Sequence, residues 1–145
     1  MDPIRLIRHK AELQGTCYFE LLPGRYRGQC WNDGSVFLAE DVFGLVEPIF
    51  TRHEPRFDHH SFVEITRLTW EKIIADFDRL AELAKTAKDI GELRGCVGFL
   101  FAPTEREFAT DFRANAEALS RMAKELSSWL MEQLEWYKVV SVLGI

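Results

Sequence analysis

The densest group of residues that could do chemistry lies between His53 and His60, where the chain reads HEPRFDHH. The imidazole and carboxylate groups of His53, Asp58, His59 and His60 are of the types that zinc and other divalent metals accept as ligands. Their spacing does not match a helical H-E-x-x-H motif, because Phe57 stands at the last position of that pattern. We therefore predict a polar loop without a metal. A small metal-dependent or Cys/His hydrolase that uses this loop is the alternative.

The three cysteines offer a second kind of chemistry. If residues 16–31 form a hairpin, Cys17 and Cys30 become cross-strand neighbours with the geometry for a redox disulfide. Cys96 could act as a nucleophile beside one of the histidines. All three lie in apolar, strand-like patterns, where cysteine behaves as a small apolar residue. No residue is therefore predicted to be catalytic.

Sequence motifs for the common enzyme classes are missing. The chain contains no G-x-S-x-G elbow, no phosphate-binding loop and no dinucleotide fingerprint. Acidic and basic residues are interspersed along the predicted helices, as on faces that contact solvent. The sequence thus favours a protein without catalytic activity, and we predict no cofactor.

The end of a long predicted helix carries the side chains that we favour for function. On a helical wheel Trp129 and Trp136 border the apolar stripe, and Glu125 and Glu132 stand beside them. Acidic residues near a helix C-terminus oppose the helix dipole, so Glu132 and Glu135 contribute little to helix stability. Tryptophan bordered by carboxylates is typical of an interface that anchors a basic protein. The alternative is that both tryptophans widen the core contact and the glutamates are solvated at its rim.

Amino-acid composition and net charge exclude several classes of protein and of partner. The 145 residues are 47% hydrophobic, which is enough apolar mass for one domain over residues 1–145. A net charge of −5 leaves no basic surface for a nucleic-acid backbone. No window approaches the ~20 apolar residues of a membrane span, and the first residues lack the apolar core of a secretion signal. An odd number of cysteines without C-x-x-C spacing is typical of reduced thiols, so we expect a cytoplasmic protein.

The first half of the chain is predicted to form an antiparallel meander. Apolar spacing over residues 4–11 predicts a short helix, with an edge strand as the alternative. A Pro-Gly pair predicts the tight turn of a hairpin over residues 16–31, and residues 32–34 predict a second turn into a strand. Residues 41–50 fit either a capped helical turn with an extended segment or a fourth strand.

Two amphipathic helices dominate the second half, at about 69–90 and about 104–136. Thr104 and Glu107 match a capping box at the start of the second helix. At 1.5 Å per residue that helix would be about 45–50 Å long, whereas a small domain is ~30 Å across. We therefore expect it to bend or break, and the paired serines Ser127 and Ser128 are the predicted place.

Strands are predicted around residues 61–66, 95–102 and 138–145, so strand and helix alternate in this half. That alternation indicates parallel crossovers and, with the meander, an α+β domain with a mixed sheet. The function we predict is non-catalytic: an intracellular binding protein, such as an immunity protein, antitoxin or inhibitor, that covers a basic site on a toxin or enzyme. A homodimer built on the long helix is a further alternative. Neither nucleic acid nor membrane is expected as a partner.

Overall fold

The computed structural model describes residues 1–145 and contains four strands and five α-helices. Alternating apolar residues form the strands, and wider apolar stripes form most of the helices. In chain order the elements are β1 (Tyr18–Pro23), β2 (Val36–Ala39), α1 (Glu40–His53), β3 (Phe62–Thr66), α2 (Arg67–Thr86), α3 (Ile90–Leu93), α4 (Ala102–Thr110), α5 (Phe112–Leu134) and β4 (Val139–Leu143). The predicted α+β class is confirmed. No helix is both long and apolar enough to cross a membrane.

The strands form one sheet in the order β2-β1-β4-β3, and every neighbouring pair is antiparallel. The prediction of a mixed sheet with parallel crossovers is therefore wrong. The connection from β3 to β4 contains α2 running away from the sheet edge and α5 running back. Because the chain makes two helical passes, it returns to the end of the sheet from which it left. Val139 therefore pairs with Thr66, and β4 runs antiparallel to β3.

One apolar core lies between the helices and one face of this sheet. Alternate strand residues such as Phe19, Leu21, Val140 and Val142 point into it, as the two-residue period of a strand requires. Phe43 stacks on Phe19 with ring centroids 3.8 Å apart. The helices therefore take their positions from a sheet of which one face is continuous and apolar.

The predicted hairpin over residues 16–31 is wrong. β1 pairs instead with β2, so that residues 24–35 form a long loop over the outer face of the sheet. The loop is held by Glu20, whose buried carboxylate accepts hydrogen bonds from the N–H of Trp31 at 2.5 Å, the N–H of Asn32 at 3.0 Å and the hydroxyl of Ser35 at 2.6 Å. The predicted turn at residues 32–34 does lead into β2, with Gly34 at a φ of +86°.

Residues 41–50, which fitted either a helical turn or a strand, belong to helix α1, and Pro48 lies inside it. Because proline has no N–H, the carbonyl of Gly44 lacks its usual helical donor. The segment 94–101 packs at this point, and the N–H of Gly98 donates to the carbonyl of Leu45 at 3.1 Å. A Cβ on Gly98 would lie 2.6 Å from the Gly44 oxygen, so the close approach requires glycine.

The segment 94–101 is not the buried strand predicted for residues 95–102. It contains only an isolated bridge between Arg94 and Val97, and Gly95 has a φ of +86°. The apolar run packs along α1 instead of entering the sheet. A run of apolar residues indicates burial in either case, and does not distinguish a strand from an irregular segment.

The long helix predicted for 104–136 breaks at Asp111 into α4 and α5, and Ser127 lies within an unbroken α5. The backbone leaves helical geometry at Asp111, with φ −122° and ψ 55°. The side-chain amide of Asn115 donates to the carbonyl of Phe108 at 3.2 Å, which satisfies an end carbonyl of α4. The capping box at Thr104 is also wrong, because α4 begins two residues earlier and Thr104 is buried.

The helix predicted for 69–90 is observed as α2, which ends four residues earlier and is followed by the short α3. Residues 4–11 do not form the predicted helix. Ile7 instead exchanges two backbone hydrogen bonds with Phe37 at 2.9 and 2.8 Å, as the edge-strand alternative requires, and only Lys10–Glu12 makes a turn of 3₁₀ helix.

Candidate functional site

The four residues predicted to contact a partner do not form one exposed surface in the structure. Trp136 is 80% exposed, and Glu125 and Glu132 are also exposed. Trp129 is only 7% exposed and belongs to the core. Glu125 lies two turns before Glu132 on α5 and pairs with Arg8 at 3.6 Å. Only Glu132 and Trp136 are therefore near each other on a free surface.

Trp136 is exposed because α5 ends before it. The last helical residue is Leu134, and the N–H groups of Trp136 and Tyr137 both donate to the carbonyl of Gln133, at 3.0 and 2.9 Å. This tight turn leads directly into β4. The helical wheel no longer applies there, so Trp136 leaves the apolar stripe on which Trp129 is buried.

Two shallow hollows meet beside Trp136 and share Arg67, Leu134 and Glu135. They form because the start of α2 lies beside the end of α5, where the N–H of Arg67 donates to the carbonyl of Lys138 at 3.2 Å. We call the following residues the Trp136 surface: Arg67, Leu68, Glu71, Met131, Glu132, Glu135, Trp136, Tyr137 and Lys138. Of its apolar members, Leu68 is 73% and Met131 58% exposed.

Carboxylates on this surface lack ion pairs. Elsewhere on α2 and α5, Glu82 pairs with Lys124 at 3.0 Å and Glu117 with Arg113 at 3.4 Å. Glu71, Glu132 and Glu135 pair with no basic group of the chain. Two cations, Arg67 and Lys138, border the same surface without ion pairs, so its charge is mixed with an excess of one carboxylate.

The histidines of the 53–60 loop each have a separate partner. His53 Nε2 lies 2.6 Å from Asp76 Oδ2. The ring of His59 lies between two glutamates, with Nδ1 3.0 Å from Glu47 and Nε2 3.1 Å from Glu40. His60 Nδ1 lies 3.1 Å from the carbonyl of Ile145, and Asp58 accepts from the backbone N–H of His60. No three His, Cys, Asp or Glu side chains are arranged to hold a metal ion.

Electrostatics explains why His59 is a poor ligand. Burial lowers the pKa of His59, but the hydrogen bonds and charges of Glu40 and Glu47 outweigh that effect, so the net pKa is raised. A carboxylate at each ring nitrogen favours the form of His59 in which both nitrogens carry protons. A protonated imidazole has no lone pair to give to a metal.

The cysteines do not form the predicted pair. All three are free, and Cys17 and Cys30 lie outside the strands. Partial desolvation, and then the nearby charge of Glu20, raises the pKa of the Cys30 thiol, which opposes its use as a nucleophile. Cys96 lines a hollow with Arg52 and Asp76 and makes no hydrogen bond to a histidine.

The buried carboxylate of Asp76 was not predicted from the sequence. Its side chain is 6% exposed and accepts hydrogen bonds from Arg52 at 2.8 Å, from His53 and from Arg79. Burial raises the pKa of Asp76, but these three donors outweigh burial and lower it overall. One signal could have found it, because Asp76 falls within 40° of Leu80 on the wheel and thus on the apolar side of α2.

Comparison with models of protein families, with curated proteins and with solved structures finds no match to this chain. Function is therefore inferred from the contacts, burial and charges of its own residues.

Proposed function

We propose that the chain is a non-catalytic binding protein of the immunity, antitoxin or inhibitor type, and that its Trp136 surface covers a basic site on a toxin or enzyme. The observation that carries the proposal is the 80% exposure of Trp136. Burying a large apolar side chain contributes about 1.5–3 kcal/mol. A tryptophan left in solvent forgoes that stabilisation unless another molecule covers it.

The surroundings of Trp136 support an interface. Tyr137 lines the same hollow as Trp136, Met131 lines the adjoining hollow and Leu68 follows Arg67, and all three are exposed, so several apolar side chains share this part of the surface. Aromatic residues and methionine are enriched in interfaces, and tryptophan is frequent among the residues that dominate binding energy. Trp129 is not part of the proposal, because its ring is already covered by the core.

The unpaired carboxylates of the Trp136 surface favour a positively charged partner. Glu71, Glu132 and Glu135 have no ion pair within the chain, and the last two oppose the dipole of α5 at a cost of a few tenths of a kcal/mol. A basic partner would neutralise them. Arg67 and Lys138 then require an acidic group or solvent opposite, which selects among basic partners.

The histidine loop supports no second function. His53 and His59 are each engaged by carboxylates, and the ring of His59 contacts Phe19 edge to face at 4.8 Å. These contacts are those of structural side chains, so the hydrolase alternative gains no observation in its favour.

The test is capture of the partner by the tagged chain from a lysate of the organism that carries the sequence, at about 50 mM and about 300 mM salt. We expect one basic protein in stoichiometric amount, released at the higher salt as the charges are screened. With that partner purified, Trp136→Ala should weaken binding about 30-fold, the effect of a ~2 kcal/mol hot spot. Glu132→Gln with Glu135→Gln should lower the association rate.

Matched controls lie elsewhere on the same chain. Phe101→Ala removes another exposed aromatic ring, and Glu117→Gln removes another exposed carboxylate of α5. Both variants should bind as the parent does. A partner held equally well by Trp136→Ala would overturn the proposed surface. Light scattering that gives a dimer, dissociated by Trp136→Ala, would assign the surface to a second copy of the chain instead.

A further inference from the structure

Two arginines converge on one buried carboxylate between α1 and α2. Arg52 donates to Asp76 Oδ2 at 2.8 Å, and Arg79 donates to Oδ1. His53 lies 2.6 Å from the same Oδ2. A single carboxylate thus holds two guanidinium groups and an imidazole, although one positive charge would neutralise it.

The guanidinium groups retain free donors. Arg52 uses only one terminal nitrogen on Asp76, and so does Arg79. Each keeps its remaining N–H groups for another acceptor, and both side chains are more than half exposed. Both oxygens of Asp76 already accept hydrogen bonds, and neither arginine side chain makes another hydrogen bond within the chain. In a protein with a net charge of −5, this is a local excess of positive charge.

A hollow of about 290 Å³ opens at this point. Its walls are Ile49, Arg52, Asp76, Arg79, Leu80, Leu83 and Cys96. Small-molecule sites have volumes from about 300 Å³ upward, with mostly apolar walls and a few polar groups that fix orientation. The hollow has that composition at the lower limit of size, so its ligand would be small.

We propose that this hollow binds a small organic carboxylate whose apolar part contacts Ile49, Leu80 and Leu83. Arginine binds carboxylates through two parallel N–H groups in a planar fork, and Asp76 fixes one nitrogen of each of the two guanidinium groups that line the hollow. The apolar wall favours a carboxylate with a hydrocarbon part over inorganic phosphate. The one carboxylate of the neighbouring hollow, Glu47, is engaged by His59 and not by Arg52. No residue of the Trp136 surface takes part, so this inference does not depend on the proposed function.

Cys96 provides a chemical probe, because its thiol lines the same hollow. The thiolate displaces iodide from iodoacetate or iodoacetamide, forming a carbon–sulfur bond and releasing iodide in either case. Iodoacetate carries a carboxylate and iodoacetamide does not. If the arginines attract carboxylates, the ratio of the iodoacetate rate to the iodoacetamide rate should be about tenfold higher at Cys96 than at exposed Cys17.

Variants and ligands complete the test, with the two rates measured by peptide mass spectrometry. Arg52→Gln and Arg79→Gln should each reduce the ratio at Cys96 towards that of Cys17. Arg94→Gln is the matched control, because it removes a charge two residues from Cys96 without lining the hollow. Hexanoate should slow labelling of Cys96 and bind with one-to-one stoichiometry in calorimetry, whereas hexylamine should do neither.

Three results would overturn the inference. One is an equal ratio of the iodoacetate rate to the iodoacetamide rate at Cys96 and Cys17 in the parent protein. This measurement uses no variant, so misfolding of a variant cannot explain it. Another is the absence of saturable hexanoate binding. Binding of inorganic phosphate as tight as that of hexanoate would also overturn it, because the apolar wall would then contribute nothing.

Discussion

Glu20 is the most deeply buried carboxylate in the protein, and all the donors that compensate it come from the loop between β1 and β2. Two of those donors are the successive backbone N–H groups of Trp31 and Asn32. To present them, Trp31 takes a φ of +60°, which costs a non-glycine residue about 1 kcal/mol or more. The hydrogen bonds to a buried charge offset that cost. One glutamate thus holds residues 31–35 of this loop in place.

His59 is the residue whose contribution should depend on pH. Its pKa is raised in the folded protein, after the opposing effect of burial, by Glu40 and Glu47. A raised native pKa contributes stability that is complete below the unfolded value of about 6.5 and is lost as pH rises through the native value. The stability lost in His59→Gln should therefore be larger at pH 6 than at pH 9, as measured by urea unfolding at each pH.

The control for this prediction is Phe101→Ala, because Phe101 is exposed and carries no titratable group. Its effect on stability should not change over the same pH range. A His59→Gln deficit that is constant or grows towards pH 9 would show that the two glutamates do not act on His59 as inferred.

α2 and α5 pack against each other as an antiparallel pair. Serines allow the two helices to approach closely: the hydroxyl of Ser120 donates to the carbonyl of Ala81 at 2.8 Å, and that of Ser127 to Asp78 at 2.8 Å. Ser127 is thus a packing residue and not a bend. At the other end of the pair, Arg113 reaches from α5 to the end of α2.

Arg113 joins the two helices by a C-terminal cap. Its guanidinium donates to the carbonyls of Ala84 and Ala87 at 2.7 and 2.8 Å, which are among the orphan acceptors of α2. A lysine ammonium cannot reach both carbonyls in the same planar geometry. Arg113→Lys should therefore lower the free energy of unfolding by about 1–2 kcal/mol in urea denaturation.

Arg106→Lys is the comparison for that variant, because Arg106 is exposed on α4 and its side chain makes no hydrogen bond. We expect it to change stability by less than about 0.5 kcal/mol. Equal free energies of unfolding for Arg113→Lys and Arg106→Lys would mean that the cap makes no net contribution to stability.

The whole molecule divides its tryptophans between core and surface. Trp70 is fully buried and donates its indole N–H to the carbonyl of Val140 at 3.1 Å, which ties α2 to the central strand β4. Trp129 also belongs to this core, whereas Trp31 and Trp136 contact solvent. A single core predicts that a substitution within it affects the entire fold.

Trp129→Ala and Trp136→Ala should therefore differ in kind. Trp129→Ala leaves a cavity in the core and should cost about 3–5 kcal/mol, much of the ~5–15 kcal/mol stability of a small domain. Trp136→Ala should stay within about 0.5 kcal/mol of the parent. Thermal and urea unfolding measure both. Similar losses in the two variants would contradict the division and would return Trp136 to a structural role.

Local patterns in the sequence were sufficient for several elements. β3, β4 and most of α2 were predicted near their observed places, because each is amphipathic or short and bounded by turn or cap residues. The α+β class followed from the same patterns. Glu132 and Trp136 are exposed, as the predicted contact surface requires, whereas Trp129 is buried; the two tryptophans were grouped because the wheel was continued past the end of α5.

Other features depend on contacts between residues far apart in the sequence. α1 contains Gly44 and Pro48, which obscure its helical pattern in the sequence, and segment 94–101 resembles a strand although it packs on α1. Apart from Arg79, which lies three residues from Asp76, the partners of Glu20 and Asp76 lie 11 to 24 residues away along the chain. Sequence periodicity reports which side of an element is buried, and it carries no information about what covers that side. Only the folded chain decided that β4 lies between β1 and β3 and that a carboxylate holds two arginines between α1 and α2.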